Sequence, residues 1–177
     1  MIVLESKRLL FRSHEAADLD AFCAMEADAE VRRYVGGAPR TREAAEQRFW
    51  ERAMQPPEGR LAMWATVLKA DGSYIGRCGL YPNMREEQKV VGEAVLGFYL
   101  AHEFWGQGFA SEAGRAFVEF GFDELKLERI VTAVQVGNAA SVRVLEKLGF
   151  LITSHEVGPR SFYHFELSRP VVRAVGK

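Results

Sequence analysis

The chain has 177 residues, 48% of them hydrophobic, enough for one domain with a sizeable core and too few for a second of similar size. Its 23 basic and 24 acidic side chains nearly cancel, to a formal net charge of −1, and are spread along the sequence, which argues against a broad cationic field for nucleic acid or anionic lipid. The start, MIVLE, meets charge too early for a signal-peptide core, and the longest uncharged run, residues 130–142, is too short and polar to span a bilayer, so a cytoplasmic protein without membrane contact is expected.

In chain order, residues 7–12 read as a short strand. Residues 18–29 read as a helix with Leu19, Phe22, Cys23 and Glu26 along one side. Gly36-Gly37-Ala38-Pro39 breaks the chain. Thr41 is placed to cap a second helix running to about Met54, with Ala45, Phe49 and Trp50 as its apolar side and Pro56-Pro57 as its stop. Residues 61–69 and 73–81 are two strands, and Asp71-Gly72 between apolar runs predicts a hairpin. Residues 83–89 read as a charged, solvated loop before a long strand over residues 90–100. From Phe109 the apolar residues Ala113, Ala116, Phe117 and Phe120 fall at helical spacing. A β-branched strand at residues 130–136 leads to Asn138, a good N-cap whose side chain can accept from the Ser141 N–H. The helix that follows has Ser141, Val144, Leu145 and Leu148 as its buried stripe, turns Arg143, Glu146 and Lys147 outward, and ends at Gly149. Strands at residues 150–154 and 162–167 close the order, and residues 169–177 read as an untethered C-terminal tail.

These elements predict an α+β domain over residues 1–168: a single mixed, mostly antiparallel sheet of about six to seven strands, flanked by about four helices on both faces. A doubly wound nucleotide fold is disfavoured, because the N-terminal half offers a hairpin where that fold needs further parallel units. Cys23 and Cys78 are too few and lack paired spacing with histidines; they read as reduced, buried or half-buried thiols, and no metal site is expected.

Chemistry concentrates in two strand-turn-helix units. In residues 96–113, LGFYLAHEFWGQGFASEA, Gly106 and Gly108 stand one residue apart at a helix start. Such a joint lets backbone approach a ligand closely, and the free N–H groups and positive dipole end favour a phosphate. Taken alone, Gly-x-Gly is better read as a strand-to-helix turn that needs positive φ. Residues 129–150, RIVTAVQVGNAASVRVLEKLGF, repeat the plan. The two motifs in this order resemble the GCN5-related N-acetyltransferase (GNAT) superfamily, and within it the ribosomal-protein N-terminal acetyltransferase (RimJ/RimL-like) branch. The match is close over residues 90–150 and elsewhere follows the order of elements.

The resemblance implies a fold in which residues 7–12 form the first edge of the sheet, and an enzyme that moves the acetyl group of acetyl-CoA to a primary amine by direct attack in a ternary complex. It implies that the pantetheine arm lies along the backbone of Tyr99, Leu100 and Ala101, and the pyrophosphate on Gly106, Gln107, Gly108, Phe109, Ala110 and Ser111. Asn138 would hold pantetheine or a bridging water while also serving as a cap. The two N-terminal helices would wall the acceptor side, which makes Tyr34 and Trp50 candidate substrate contacts. Three departures from the family pattern matter. Glu103 stands where many members carry Gln or Arg, so phosphate binding falls to the backbone. Leu145 replaces a tyrosine that protonates the leaving thiolate, which leaves Ser141, one turn earlier on the same side, as the candidate acid against a plain packing role. Val95 replaces a glutamate, and the nearest carboxylate of the same strand parity, Glu93, becomes the candidate base, with water as its alternative. These losses keep open a non-catalytic acyl-CoA-binding or sensing domain of the same fold. The acceptor is a small-molecule amine or a protein N-terminus, and a homodimer is left open.

Overall fold

The computed structural model describes residues 1–56 and 59–170. Eight strands form one sheet: β1 (Ile2–Glu5), β2 (Leu9–Arg12), β3 (Ala62–Leu68), β4 (Tyr74–Arg85), β5 (Gln88–Leu100), β6 (Arg129–Gln135), β7 (Leu151–Glu156) and β8 (Phe162–Ser168). Their spatial order is β1-β2-β3-β4-β5-β6-β8-β7, and every neighbouring pair is antiparallel except β5 and β6, which run parallel. Five α-helices cover the sheet: α1 (Leu19–Ala27), α2 (Ala29–Arg32), α3 (Arg42–Arg48), α4 (Phe109–Asp123) and α5 (Ala139–Lys147). The single mixed α+β sheet is as expected, with one strand and one short helix more.

Each difference from the sequence reading has a local cause. The sheet edge is β1, not residues 7–12; β1 is only four residues long and carries no alternation clear enough to announce it. The expected charged loop at residues 83–89 is instead the tip of a hairpin, with Met84 opposite Lys89 and Arg85 opposite Gln88. Its two turn residues, Glu86 and Glu87, hold positive φ of 47° and 64° without being glycine or asparagine, so the usual turn signal is missing. Asp28 ends α1 and caps α2, accepting from the Glu30 and Val31 amides. Thr41 caps α3 as expected, accepting from the Ala44 amide at 3.3 Å, and the helix continues through one wider turn, Phe49–Ala53. Pro57, half of the expected stop, lies outside the described residues, as do residues 171–177 of the expected tail. Arg169, at the tail's expected start, is tied down: its amide donates to the Glu128 carbonyl at 2.8 Å and its guanidinium to the Phe122 carbonyl. Among the described residues no helix is long and apolar enough to cross a membrane.

The main core lies between one sheet face and α4. Phe109, Ala113, Ala116, Phe117 and Phe120 of α4 pack on Phe11, Leu80, Leu96 and Ile130, the helical spacing having marked the buried stripe. Gly114 lets α5 come close: a Cβ there would stand 2.5 Å from Leu148 Cδ1. Both cysteines are buried and free.

On the other face, Phe22 and Cys23 of α1 meet Ala45 of α3 and Phe49 in a smaller cluster. His14, 7% exposed, completes it, its ring against those of Phe22, Phe49 and Tyr74. Its Nε2 and the Tyr74 hydroxyl are buried without a partner among the described residues. Burial, helped by the positive charges of Arg77 and Arg12 and opposed by Asp18, lowers the His14 pKa from 6.5 to about 4. As pH falls the unfolded chain is therefore protonated first. The stability that comes from a neutral His14 is complete above about pH 6.5 and drains away toward pH 4. His14→Phe, which suits the ring cluster, should abolish about 2 kcal/mol of the stability loss between pH 7 and pH 5. Urea unfolding at the two pH values measures this, and an undiminished loss in the variant would remove His14 as its source.

Candidate active site

Strands β5 and β6 pair over only three residues each, Glu93 to Val95 with Arg129 to Val131. Both continue well beyond, β5 to Leu100 and β6 to Gln135, with neighbours on their outer sides only. Past Val95, β5 therefore turns a row of backbone N–H and C=O groups toward a gap instead of a strand. The gap opens into a cavity of about 460 Å³. Its floor is Phe98, Tyr99 and Leu100, and its walls are the turn before α4, the first turns of α5, and Val31 and Tyr34 from the N-terminal side.

The turn before α4 is shaped by its two glycines. Gly106 and Gly108 hold φ of 74° and 82°, and Gly108 is the N-cap of α4 in the left-handed region. A Cβ on Gly106 would meet nothing within 4 Å, so the backbone faces open space where a ligand can approach. The turn is tied at several points. Trp105 Nε1 donates to the Leu100 carbonyl at 2.8 Å, and Gln107 Nε2 to the Glu103 carbonyl at 2.9 Å. From the other end of the chain, Arg8 Nη1 donates to the Gln107 carbonyl at 3.1 Å, and its guanidinium lies 4.2 Å from the Phe109 ring centre. Glu112 in the first turn of α4 takes the Arg8 amide at 2.7 Å, Arg8 Nε at 2.6 Å and the Ser6 hydroxyl at 2.8 Å. Burial pushes the Glu112 carboxyl up, but these donors outweigh it and hold it below its ordinary value.

On the opposite wall, the Asn138 side chain accepts from the Ser141 amide at 3.1 Å, so the expected cap of α5 is present. Ser141 lines the cavity, and its hydroxyl has no hydrogen-bond partner among the described residues. Leu145 is fully buried in the main core. Arg143 and Lys147, expected to turn outward, do leave the core but line the cavity, Arg143 from the middle of α5 and Lys147 from its C-terminal end.

The structure thus brings Tyr34, Tyr99, Leu100, Gly106, Gly108, Phe109, Ala110, Ser111, Asn138 and Ser141 around one cavity. Ala101 and Gln107 sit in the connecting segment without lining it. Two candidates lie elsewhere. Trp50 is 45% exposed and stacks its edge on Phe49. Glu93 is buried where β5 and β6 still pair, bonded to Arg129 and to Asn83 Nδ2 at 2.9 Å. Burial raises its pKa, yet Arg129 and Asn83 outweigh that and hold the carboxyl low. Val95 lines a second, polar cavity of about 350 Å³ together with Asn83, Arg129 and His164. The Arg8–Glu112 clamp escaped sequence reading, because the two residues are more than a hundred positions apart.

A family model for the acetyltransferase (GNAT) domain matches residues 8–151, and the chain belongs to that family. It is 32% identical over 152 residues to an uncharacterized N-acetyltransferase, p20, of Bacillus licheniformis, covering 85% of this chain and 83% of that one. Among solved structures, a GNAT-family acetyltransferase from Bacillus anthracis superposes with a TM-score of 0.81 at 23% identity, over 95% of this chain and 98% of that one. The ribosomal L7/L12 alpha-N-protein acetyltransferase RimL, solved in complex with coenzyme A, superposes with a TM-score of 0.78 at 15% identity, over 95% and 98% of the two chains. These last two likenesses show the fold.

The clamp has a measurable consequence. Glu112→Ala leaves the Arg8 amide, the Arg8 guanidinium and the Ser6 hydroxyl without their shared acceptor, a loss of about 1 to 3 kcal/mol. Arg8 is 43% exposed, so water recovers part of it and the lower end is expected. Denaturant unfolding that shows no change would mean that the turn before α4 does not depend on this carboxylate.

Proposed function

We propose that the protein transfers the acetyl group of acetyl-CoA to a primary amine by direct attack in a ternary complex, as in the RimJ/RimL-like branch that its motifs resemble. The observation that carries this reading is the cavity between the diverging strands, which has unpaired strand backbone on its floor and a glycine-shaped helix N-terminus at its mouth. The fit to acetyl-CoA rests on three features: open space over Gly106, free helix N–H groups for a pyrophosphate, and two cations, Arg143 and Lys147, along the α5 wall. Acetyl-CoA supplies an activated thioester; the chain binds, orients and moves protons.

In this reading the edge of β5 from Tyr99 to Ala101 takes the pantetheine amides, and Gly106 to Ser111 the pyrophosphate. Asn138 holds the first turn of α5 in place, so that the Ser141 hydroxyl faces the cavity and can donate to the departing thiolate. Glu93 is not retained as base, since its carboxylate is bonded to Arg129 and Asn83. The amine proton leaves through water. Tyr34, whose ring lies within 3.7 Å of where a Gly137 Cβ would stand, covers the acceptor side. The acceptor is a small-molecule amine or a protein N-terminus, and the compartment is the cytoplasm. A thiol-release assay over a panel of amines tests the whole; tight acetyl-CoA binding with no release above hydrolysis would favour an acyl-CoA-binding domain.

Two variants test the parts. Gly108→Val places a β-branched residue at φ +82° on the phosphate-facing turn, and acetyl-CoA affinity by calorimetry should fall about tenfold or more in a folded variant. Unchanged affinity would remove the pyrophosphate assignment. Ser141→Ala should lower kcat by roughly 10 to 10³-fold, the lower part of the range for general acid catalysis, because water substitutes in part. Acetyl-CoA affinity should hardly move. A near-wild-type kcat with chemistry rate-limiting would leave water as the acid.

A further inference from the structure

Glu26, 2% exposed, is met by three arginines: Arg77 Nη2 at 2.6 Å on one oxygen, and Arg40 Nε at 3.0 Å and Arg32 Nη1 at 3.2 Å on the other. Burial raises the carboxyl pKa, but Arg77 and Arg32 outweigh it, so Glu26 is charged. A fourth arginine, Arg48, has no such partner. Its Nε is buried without an acceptor, and it makes no hydrogen bond or ion pair among the described residues. Its neighbourhood is mostly of its own sign: after burial itself, Arg77 is the strongest influence lowering its pKa, followed by Arg40 and Arg32, with Glu26 alone opposing. Four guanidinium groups around one carboxylate leave a surplus of three positive charges.

This group stands behind one wall of the cavity. Arg77 lies opposite Tyr99 in the β4–β5 register, its guanidinium 5.1 Å from the Tyr99 ring centre and 4.9 Å from that of Phe22. The Phe22 ring packs on Phe49, the residue after Arg48, at 5.2 Å. Arg32 follows Val31, which lines the cavity together with Tyr99. Glu30, which lines the cavity, pairs with Arg33, and Asp28 caps α2. A half-buried cation beside like charges is costly unless an anion meets it. Guanidinium forks suit carboxylate and phosphate oxygens.

We propose that the acceptor amine carries an oxyanion, a carboxylate or a phosphate, and that Arg48 and Arg40 bind it, so that acid-bearing amines are preferred and polycationic amines are rejected. The amine half of this rests on the acetyl-transfer reading above; the anion half does not. Two arms keep them apart. In the first, thiol release is followed for matched acceptors: β-alanine against β-alaninamide, O-phosphoethanolamine against ethanolamine, and spermidine as the polycation. The wild-type protein should favour an acid over its neutral partner by about tenfold or more in kcat/KM. Arg48→Gln should collapse that ratio toward one, chiefly through the KM of the acid, with acetyl-CoA affinity unchanged by calorimetry. Arg40→Gln, at a side chain about one-third exposed, is the second variant and should act in the same direction.

In the second arm, succinate or inorganic phosphate, neither of which can accept an acetyl group, should raise the melting temperature of the wild-type protein, and succinamide should not. Whichever of the two anions acts identifies the oxyanion. Arg48→Gln should abolish the rise and change the melting temperature in buffer little, because the cation it removes stands among three like charges that outweigh the pull of Glu26. No turnover with any amine, while an anion still stabilises through Arg48, would sink the acetyl-transfer reading and leave the anion site standing. Equal turnover of acids and amides, spermidine as the best acceptor, or no anion effect on the melting temperature would overturn the site.

Discussion

Parallel pairing between β5 and β6 ends after three residues on each strand, and the site exists because it ends there. An uninterrupted pair would satisfy its own backbone and leave nothing to bind a ligand. The short paired stretch must also be held firmly, or the divergence would travel along the sheet. Glu93 does this: it sits opposite Arg129 in the register and is bonded to it, while Arg129 also reaches Glu166 of β8 at 3.1 Å and Asn83 of β4 donates to Glu93. Four adjacent strands are thereby joined through one buried carboxylate at the closed end of the paired stretch, two residues before the gap opens past Val95. A residue that strand parity offers as a base reads better as the rivet of that stretch.

Beyond the paired stretch, two helices begin where the diverging strands end, and both N-termini face the same space. Their placement depends on contacts remote in sequence. The Arg8–Glu112 clamp fixes the start of α4 to the β1–β2 connection, and the missing side chain at Gly114 lets Leu148 beyond α5 close against α4. The positive ends of both helices face the cavity that Arg143 and Lys147 also line, a setting that would favour an anion in the proposed complex. The surplus guanidinium charge behind Tyr99 lies on another wall. The proposed ternary complex would then have its charged groups at the two extremes and the reacting, neutral thioester between them, over Phe98 and Leu100.

What was legible in the sequence follows from how local each signal is. The two strand-turn-helix units, the Asp71-Gly72 hairpin, and the Thr41 and Asn138 caps were all readable, because periodicity, glycine and cap chemistry act within a few residues. The cavity-lining backbone was readable from the same stretches through the family resemblance. The left-handed Glu86-Glu87 turn was not, since nothing in its residue types demands positive φ. Spacing placed Glu26 on the inner side of α1 but is silent about Arg32, Arg40 and Arg77, which reach it from three other segments. Parity put Glu93 on a definite face of β5 without saying how far along the strand the cavity begins. Arg143 and Lys147 show the converse: facing away from the core was read as facing solvent, when a cavity occupied that direction.

The buried position of Leu145 bears directly on which group can act as acid in the proposed reaction. Leu145 is 0% exposed within the core that α5 shares with the sheet, so a tyrosine there would have to displace packed side chains before its hydroxyl reached the cavity. Ser141 lies one turn nearer the N-terminus of α5, where the helix emerges from the core and its side chain borders open space. Its amide is fixed by Asn138, so the Cα–Cβ bond has one direction and the hydroxyl needs only χ1 rotation to aim at a departing sulfur. The same helix end disposes the developing thiolate favourably, since the first free N–H groups and the positive dipole end stabilise negative charge there. In the proposed reaction a thiolate stabilised by this helix end would leave with less need of a proton, so that loss of the family's tyrosine would cost less and Ser141 would only have to assist departure by a hydrogen bond.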